Sequence, residues 1–125
     1  EFTSSLRKNE KLVIIPVPLH RKKLRNRSFN QADIIARAIS SEFSIPMDTN
    51  ALIRNRETKS QTKMKSLERT INILDAFTVQ APDAVRGKTV ILVDDVYTSG
   101  STINECARVL LKAGAKTVWG ITLAR

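Results

Sequence analysis

The chain has 125 residues, of which 42% are hydrophobic, and it carries a net charge of +9 with an isoelectric point near 10.2. This length fits one domain with a modest core, and no apolar run approaches the ~18 residues that a membrane-spanning helix needs. The chain shows no signal-peptide pattern, so we expect a cytoplasmic protein, and its basic charge predicts an anionic partner: nucleic acid, a polyphosphate metabolite or an acidic protein.

Few of its residues can carry nucleophilic or metal chemistry. Cys106 is the only cysteine, which excludes an internal disulfide and a cysteine-rich zinc site within this chain. His20 is the only histidine and no G-x-S-x-G surrounds a serine, so a Ser-His-Asp hydrolase is poorly supported. The four glycines spell neither G-x-G-x-x-G nor G-x-x-x-x-G-K-[ST], which excludes the two common nucleotide-binding motifs.

The first part of the chain predicts a disordered or vector-derived start, a strand and a basic loop. Residues 1–10 are polar and lack an initiator Met. A strand is predicted over Leu12–Ile15, and Pro16 and Pro18 end it because proline cannot donate to a sheet ladder. The next stretch, His20–Arg27, contains five Lys or Arg residues and no acid. Because α/β folds bind ligands at strand ends, we expect an anion contact there, with a solvated loop as the alternative.

The middle of the chain predicts a helix, a short strand and a long polar loop. An amphipathic helix is predicted over Ser28–Phe43, with Ser28 or Asn30 as its N-cap. Its apolar positions recur at helical spacing: Ile34, Ile35, Ala38, Ile39 and Phe43. Asn50–Arg54 is a predicted strand. The polar stretch Asn55–Lys65 has no apolar period, and a long loop of this kind is usually functional or disordered.

A short helix over Ser66–Leu74, a strand over Ala76–Val79 and a turn over Ala81–Lys88 are predicted next. The uninterrupted apolar run Val90–Val93 is typical of a strand that is buried on both faces of a parallel sheet. The alternation of strands and helices, which ends with a strand over Thr117–Leu123, predicts an α/β fold: an open, mostly parallel sheet with helices on both faces.

Two carboxylates and a hydroxyl-rich turn follow the central run. Burying an unpaired charge costs several kcal/mol or more, so we expect Asp94 and Asp95 to lie where the strand ends. The stretch Thr98–Thr102 then places four hydroxyls around one glycine. Backbone N–H groups, hydroxyls and a helix N-terminus together predict an anion site.

A helix is predicted from Thr102 to about Ala113. Thr102 and Glu105 match the capping box S/T-x-x-E, and Gly114 stands where a helix commonly stops. Within this helix Cys106 shares a face with apolar residues, so we expect a buried core thiol rather than a nucleophile. Trp119, in the last predicted strand, is likewise expected in the core.

The strand, the acid pair and the T-x-G-x-T loop resemble the phosphoribosyl-pyrophosphate (PRPP) signature of type I phosphoribosyltransferases. The likeness extends to further segments of the chain: Pro16–His20, Arg25–Ala32, Gln61-Thr62, Arg69, Asn72 and Ala76-Phe77. With these the chain resembles the ComF (ComFC/GntX-like) proteins, which are associated with DNA uptake in naturally competent bacteria. The resemblance covers roughly residues 11–125. ComF proteins usually carry an N-terminal cysteine-rich zinc-binding module, and its absence here points to a shortened chain or an atypical member.

The resemblance also implies roles for individual residues. Asp94 and Asp95 are the implied catalytic pair, which accepts hydrogen bonds from the ribose hydroxyls and places negative charge near an oxocarbenium centre. The implied 5′-phosphate site consists of Thr98, Ser99, Gly100, Ser101 and Thr102. The implied pyrophosphate side consists of His20, Arg21, Lys22 and Arg25. The implied lid contains Arg56, Lys59, Gln61 and Thr62. No residue is predicted to ligate a metal, and Mg²⁺ is expected on substrate oxygens.

Three functions of different classes stay open at this point. The domain transfers phosphoribose from PRPP to an unknown nucleophile and releases pyrophosphate, or it binds PRPP or a nucleotide without catalysis. The third alternative is a protein of the DNA-uptake machinery that holds single-stranded DNA on its basic loops, although 5% aromatic residues offer little stacking surface. A peripheral position at the inner face of the membrane is compatible with the predicted cytoplasmic location.

Overall fold

A computed structural model of the chain describes residues 10–19, 30–55, 74–96 and 100–124. Its strands are β1 (Leu12–Pro16), β2 (Leu52–Arg54), β3 (Phe77–Val79), β4 (Thr89–Val96) and β5 (Thr117–Ala124). Its helices are α1 (Gln31–Phe43) and α2 (Ser101–Lys112), and a short 3₁₀ turn covers Pro82–Ala84. None of the described helices has the length and apolar character that crossing a membrane requires. The predictions for residues 1–9, for the basic loop after Leu19 and for the helix before Leu74 lie outside the described residues.

Within the described part of the chain, three parallel strands pair in the order β1-β4-β5, and β2 and β3 form a separate antiparallel pair. The apolar run of β4 lies at the centre of the sheet, where Ile91 pairs with Ile14 on one side and with Trp119 on the other. A central parallel strand is covered on both faces, which explains why this run is continuously apolar rather than alternating.

Helices cover opposite faces of the sheet, as the sequence predicts. Side chains alternate along a strand, and on β4 Val90 and Leu92 pack in one core cluster with Cys106 and Leu110 of α2. Ile91 and Val93 belong to a second cluster, which contains Ala36 of α1. The α/β architecture with a parallel sheet is therefore confirmed, and so is the burial of Cys106.

The face of α1 that meets the sheet differs from the predicted one. Ala32 and Ala36 are the buried residues of this helix, whereas Ile34 and Phe43 are 53% and 41% exposed. Apolar residues cover more than one face of α1, so periodicity alone did not identify the packed face. Small alanines allow a closer approach to the sheet than isoleucine or phenylalanine would, and Ile35 and Ile39 flank the contact.

Two further predictions are wrong. The N-cap of α2 is Gly100 rather than Thr102, and no side chain caps it, so the predicted capping box does not form. Gly114, at φ +111°, does follow the end of α2, as predicted. Trp119 is 43% exposed rather than in the core, because β5 is an edge strand of the described sheet.

Replacing Gly120 by alanine should destabilise the protein by about 1 kcal/mol. A Cβ atom on Gly120 would lie 3.0 Å from Cγ2 of Ile103, inside ordinary carbon–carbon contact distance. Chemical denaturation measures the loss, and the same substitution in an Ile103→Ala background should cost clearly less, because the colliding methyl group is gone. An equal loss in both backgrounds would contradict the steric explanation.

Candidate functional site at the carboxyl edge of the sheet

Asp94 and Asp95 lie together at the carboxyl end of the central strand. Both residues are still within β4, which extends to Val96, so the acids form the last part of the strand rather than following it. Asp94 Oδ1 accepts a hydrogen bond from the backbone N–H of Asp95 at 2.9 Å. The strand keeps two half-buried carboxyl groups side by side at the edge where open α/β sheets bind ligands.

The pKa of Asp94 is raised from its ordinary value of 3.8 to about 7. Burial is the largest cause, because it removes water from the charged form, and the neighbouring carboxyl of Asp95 adds to the effect. The hydrogen bond from the backbone N–H of Asp95 and, to a smaller extent, the guanidinium of Arg54 act in the opposite direction and favour the carboxylate. Near neutral pH, Asp94 is therefore poised between a carboxylate, which only accepts hydrogen bonds, and a carboxylic acid, which also donates one.

Helix α2 begins at the same edge. Gly100 has φ +82° and precedes Ser101, the first helical residue, so glycine supplies a backbone conformation that other residues rarely adopt. The first-turn N–H groups of a helix have no partner within the helix, and the helix dipole adds positive potential there. Of the predicted 5′-phosphate residues, the structure places Gly100, Ser101 and Thr102 at this N-terminus, while Thr98 and Ser99 lie outside the described residues.

Arg54 lines a cavity at this edge and was not among the residues that the sequence predicted for the site. It ends β2, and its guanidinium carbon lies 4.8 Å from the centre of the Phe77 ring on β3. The side chain is half-buried, and burial lowers the pKa of this guanidinium from its ordinary value, although arginine stays a cation. The available sequence signal was slight: a basic residue at the end of the apolar segment Leu52-Ile53.

A cavity of about 730 Å³ lies beside Arg54, between the carboxyl end of β1, the start of α1 and the β2–β3 pair. Polar groups that line it include Asn30, Asp33, Arg54, Asn55 and Gln80. This volume is typical of small-molecule sites, which combine an apolar lining with a few polar groups.

The hydrogen bonds of the Asn55 and Gln80 side chains determine which polar atoms of these residues face the cavity. Asn55 Nδ2 donates to the carbonyl of Asp75 at 3.1 Å and to Thr78 Oγ1 at 2.7 Å. Gln80 Nε2 donates to the carbonyl of Asn50. A carbonyl oxygen only accepts, so these partners fix the amide orientations. Among the described residues, the amide oxygens of Asn55 and Gln80 receive no hydrogen bond, so the cavity offers acceptors to a ligand.

The two ends of the segment 56–73 are held together. The backbone N–H of Asn55 donates to the carbonyl of Ala76 at 2.7 Å. The chain that leads into β3 is also bound to α2, because Glu105 accepts hydrogen bonds from the backbone N–H of Asp75 at 2.9 Å and from Arg108 Nε at 2.9 Å. The predicted lid residues Arg56, Lys59, Gln61 and Thr62 lie outside the described residues, as do the predicted pyrophosphate-side residues His20, Arg21, Lys22 and Arg25.

No group of three or more His, Cys, Asp or Glu side chains converges in residues 10–19, 30–55, 74–96 and 100–124. Cys106 is fully buried, and burial raises the pKa of its thiol well above the ordinary value, so the thiol is neutral. The described chemistry of this edge therefore rests on two carboxyl groups, one half-buried cation and a helix N-terminus.

Comparison with known proteins agrees with this arrangement. A family model described as the phosphoribosyl transferase domain matches residues 29–125. DNA utilization protein YhgH of Escherichia coli O157:H7 is 38% identical over 105 residues, which cover 84% of this chain and 45% of that protein. Competence protein F of Haemophilus influenzae is 36% identical over 89% of this chain and 50% of its own length.

Competence protein ComFC of Bacillus subtilis is 34% identical over the whole of this chain and 50% of its own length. The chain thus spans about half the length of the curated relatives that it matches. The resemblance read from the acid pair and the threonine-rich loop is confirmed. The chain belongs to the phosphoribosyl transferase domain family, as a ComF-type member related to competence and DNA utilization proteins.

Proposed function

We propose that this domain binds PRPP at the carboxyl edge of its parallel sheet, as part of a protein that acts in DNA uptake. The observation that carries the proposal is the Asp94–Asp95 pair at the end of the central strand, which precedes the N-terminus of α2 by five residues. PRPP combines a ribose diol with phosphate groups at both ends of the sugar. A carboxyl pair beside a helix N-terminus matches the diol and the 5′-phosphate at once.

Each part of the site takes one part of the ligand in this proposal. The carboxylates of Asp94 and Asp95 accept hydrogen bonds from the 2′- and 3′-hydroxyls and stabilise positive charge that develops on the ribose. Residues 98–102 bind the 5′-phosphate through N–H groups and hydroxyls. The basic residues His20, Arg21, Lys22 and Arg25 offset the charge of the pyrophosphate, and Arg56, Lys59, Gln61 and Thr62 belong to a lid over it.

Mg²⁺ would accompany the pyrophosphate and offset part of its charge, and we assign it no protein ligand. We place the domain in the cytoplasm because its proposed ligand, PRPP, is a phosphorylated metabolite. Single-stranded DNA is the second proposed partner, which the net charge of +9 favours.

The cavity beside Arg54 favours catalysis as a second function. It adjoins the same edge of the sheet, and the amide oxygens of Asn55 and Gln80 and the carboxylate of Asp33 are hydrogen-bond acceptors in its lining. A nucleophile that carries N–H groups would satisfy these acceptors. The proposed reaction joins such a nucleophile to C1 of the ribose while the C1–oxygen bond to pyrophosphate breaks, and the pyrophosphate leaves with the bonding electron pair.

Titration calorimetry with PRPP and Mg²⁺ at pH 8 tests the binding proposal. We expect saturable binding by the wild type and an affinity at least about 100-fold lower for Asp94→Asn/Asp95→Asn, because a hydrogen bond to a charged group is worth about 1.5–3 kcal/mol. Asp83→Asn is the matched control, since Asp83 lies on the surface and pairs only with Arg86 among the described residues. Absence of heat from the wild type would refute PRPP binding.

Pyrophosphate release distinguishes the two functions. Release from PRPP that depends on an added amine or heterocycle would establish transfer, and saturable binding without release would establish a binding module. Single-stranded DNA binding that weakens with salt and survives both aspartate substitutions would assign DNA to a separate basic surface.

A further inference from the structure

Three lysines form a row along the amino edge of the parallel sheet, at the end opposite the acid pair. Lys11, Lys88 and Lys116 are the residues directly before β1, β4 and β5, and the first residues of these strands are register partners. The Lys11 carbonyl accepts a hydrogen bond from the N–H of Thr89 at 2.8 Å. The Lys88 carbonyl accepts one from the N–H of Lys116, also at 2.8 Å. Neighbouring strands lie about 4.8 Å apart, so this lysine row spans about 10 Å.

The lysine row borders a groove between the start of β1 and the end of α1. Lys11 and Lys88 both line this cavity of about 360 Å³, together with Glu10. Glu10 also connects the third lysine to it, because its Oε1 lies 3.4 Å from Nζ of Lys116. The side chains of the row thus meet at one groove, and this arrangement follows from the in-register start of the three strands.

The row keeps an excess of positive charge. Lys11 and Lys116 are exposed, and Lys88 is half-buried. In the described part of the chain, Glu10 is the carboxylate that forms an ion pair with the row, and it does so with Lys116. Lys11 and Lys88 take part in none of the ion pairs between described residues. Three cations against one carboxylate give a surface that attracts anions.

The shape of the row favours a polymeric anion. A site for a single phosphate surrounds it with donors, whereas this row spreads its charges along a line. A nucleic-acid strand carries one negative charge per nucleotide along its length, and flexible lysines contact such phosphates without reading the bases. A membrane-binding surface would add apolar side chains for insertion, but Leu12 and Ile45 of the groove pack in the core cluster of Ile14.

We propose that the lysine row is the surface on which this domain holds single-stranded nucleic acid, through the phosphate backbone and independently of base sequence. The inference rests on the proposed function for the identity of the partner, and it adds where that partner binds. Each ammonium group that meets a phosphate releases a counter-ion, which makes the binding strong at low salt and weak at high salt.

The lysine row and the acid pair are far enough apart to act independently. Lys88 and Asp94 are six residues apart, and β4 runs between them as an extended strand. At about 3.3 Å per residue this separation is about 20 Å, which is twice the distance of about 10 Å over which salt screens charges in solution. Nucleic acid on the row should therefore neither block the PRPP site nor compete with PRPP.

Fluorescence anisotropy with a labelled oligothymidylate tests the inference, over salt concentrations of about 50 to 200 mM. Lys11→Gln/Lys88→Gln/Lys116→Gln should bind about 10- to 100-fold more weakly than the wild type at the low-salt end. The slope of log affinity against log salt should become shallower by about 2, because each phosphate contact on a single strand contributes about 0.7. The triple Lys→Arg variant keeps the charges and should bind like the wild type.

Arg37→Gln is the matched control for Lys88→Gln, because both remove one positive charge and Arg37 lies on the exposed face of α1. Only Lys88→Gln should flatten the salt slope. If circular dichroism shows that the triple Gln variant is unfolded, Lys11→Gln/Lys116→Gln replaces it, since both side chains are exposed. Unchanged DNA affinity and slope in the folded variant would overturn the inference. Loss of binding to phosphatidylglycerol vesicles with DNA binding intact would also overturn it, in favour of a membrane surface.

PRPP calorimetry separates this inference from the proposed ligand. The triple Gln variant should bind PRPP as the wild type does, and saturating PRPP should leave the DNA affinity unchanged within about twofold. Displacement of DNA by PRPP would overturn the separate surface. DNA binding on the row without any PRPP binding would refute the proposed ligand and leave the surface standing. PRPP binding by a wild type that binds no DNA would do the reverse.

Discussion

Replacing Asp94 by asparagine should stabilise the ligand-free protein at pH 8. The pKa of Asp94 is about 7 in the folded protein, against an ordinary value of 3.8, and burial is the main cause. Each pKa unit corresponds to about 1.4 kcal/mol, so ionisation of this carboxyl costs the folded state up to about 4 kcal/mol. Asparagine has the same shape without the charge and avoids that cost.

The gain should depend on pH in a definite direction. Below pH 4 both the folded and the unfolded states hold the proton, and the charge cost is absent. Between pH 4 and 7 the unfolded state loses the proton first, so the wild type becomes progressively less stable, and above 7 the full cost applies. The difference between Asp94→Asn and wild type should therefore be small at pH 4.5 and largest at pH 8.

Denaturant unfolding of both proteins at these two pH values measures the difference. Asp83→Asn provides the control, because an exposed carboxylate should change stability by less than about 0.5 kcal/mol at either pH. A stability gain of the same size at pH 4.5 and pH 8 would show that shape or packing, and not the charge of Asp94, is responsible. A loss of stability at pH 8 would contradict the raised pKa itself.

The same substitution should weaken PRPP binding by about 10- to 100-fold, because the amide replaces a charged acceptor of the ribose diol. Higher stability with lower affinity is the pattern expected of a residue that is retained for function at the expense of the fold. Calorimetry on the protein samples used for unfolding makes the two effects directly comparable.

Glu105→Ala should destabilise the protein by about 2–4 kcal/mol. The Glu105 side chain is only 7% exposed and accepts hydrogen bonds from Arg108 and from the backbone N–H of Asp75. Its removal leaves the Asp75 N–H without its acceptor and separates α2 from the chain that enters β3. Glu42→Ala, the same change at an exposed position of α1, should cost less than about 0.5 kcal/mol.

Hydrogen bonds from Arg108 are the main cause that lowers the pKa of Glu105 from its ordinary value of 4.5, and the Asp75 N–H contributes as well. A lowered pKa stabilises the folded state above pH 4.5, and this stabilisation is lost as the pH falls through the folded-state pKa. The advantage of wild type over Glu105→Gln should thus shrink in acid. A difference that stays constant from pH 7 down to pH 3 would contradict the ionised, hydrogen-bonded role.

Much of the architecture follows from the order of the residues. The run Val90–Val93 identified the central strand, because only a strand covered on both faces is continuously apolar. Two carboxylates at its end identified the functional edge, because charges do not continue a core. The family also follows from these residues, since the acid pair and the threonine-rich loop lie next to each other in the chain.

Other features depended on contacts between distant segments. Ala32 and Ala36, rather than the isoleucines, meet the sheet because the close approach of α1 selects small side chains. Glu105 binds Asp75, 30 residues away, instead of capping its own helix. The raised pKa of Asp94 results mainly from its burial, and Arg54 lies over the Phe77 ring because the antiparallel β2–β3 pair makes the two residues register partners. Sequence order thus determines which groups are available, while the pKa and the partners of each group depend on burial and on charges brought together by folding.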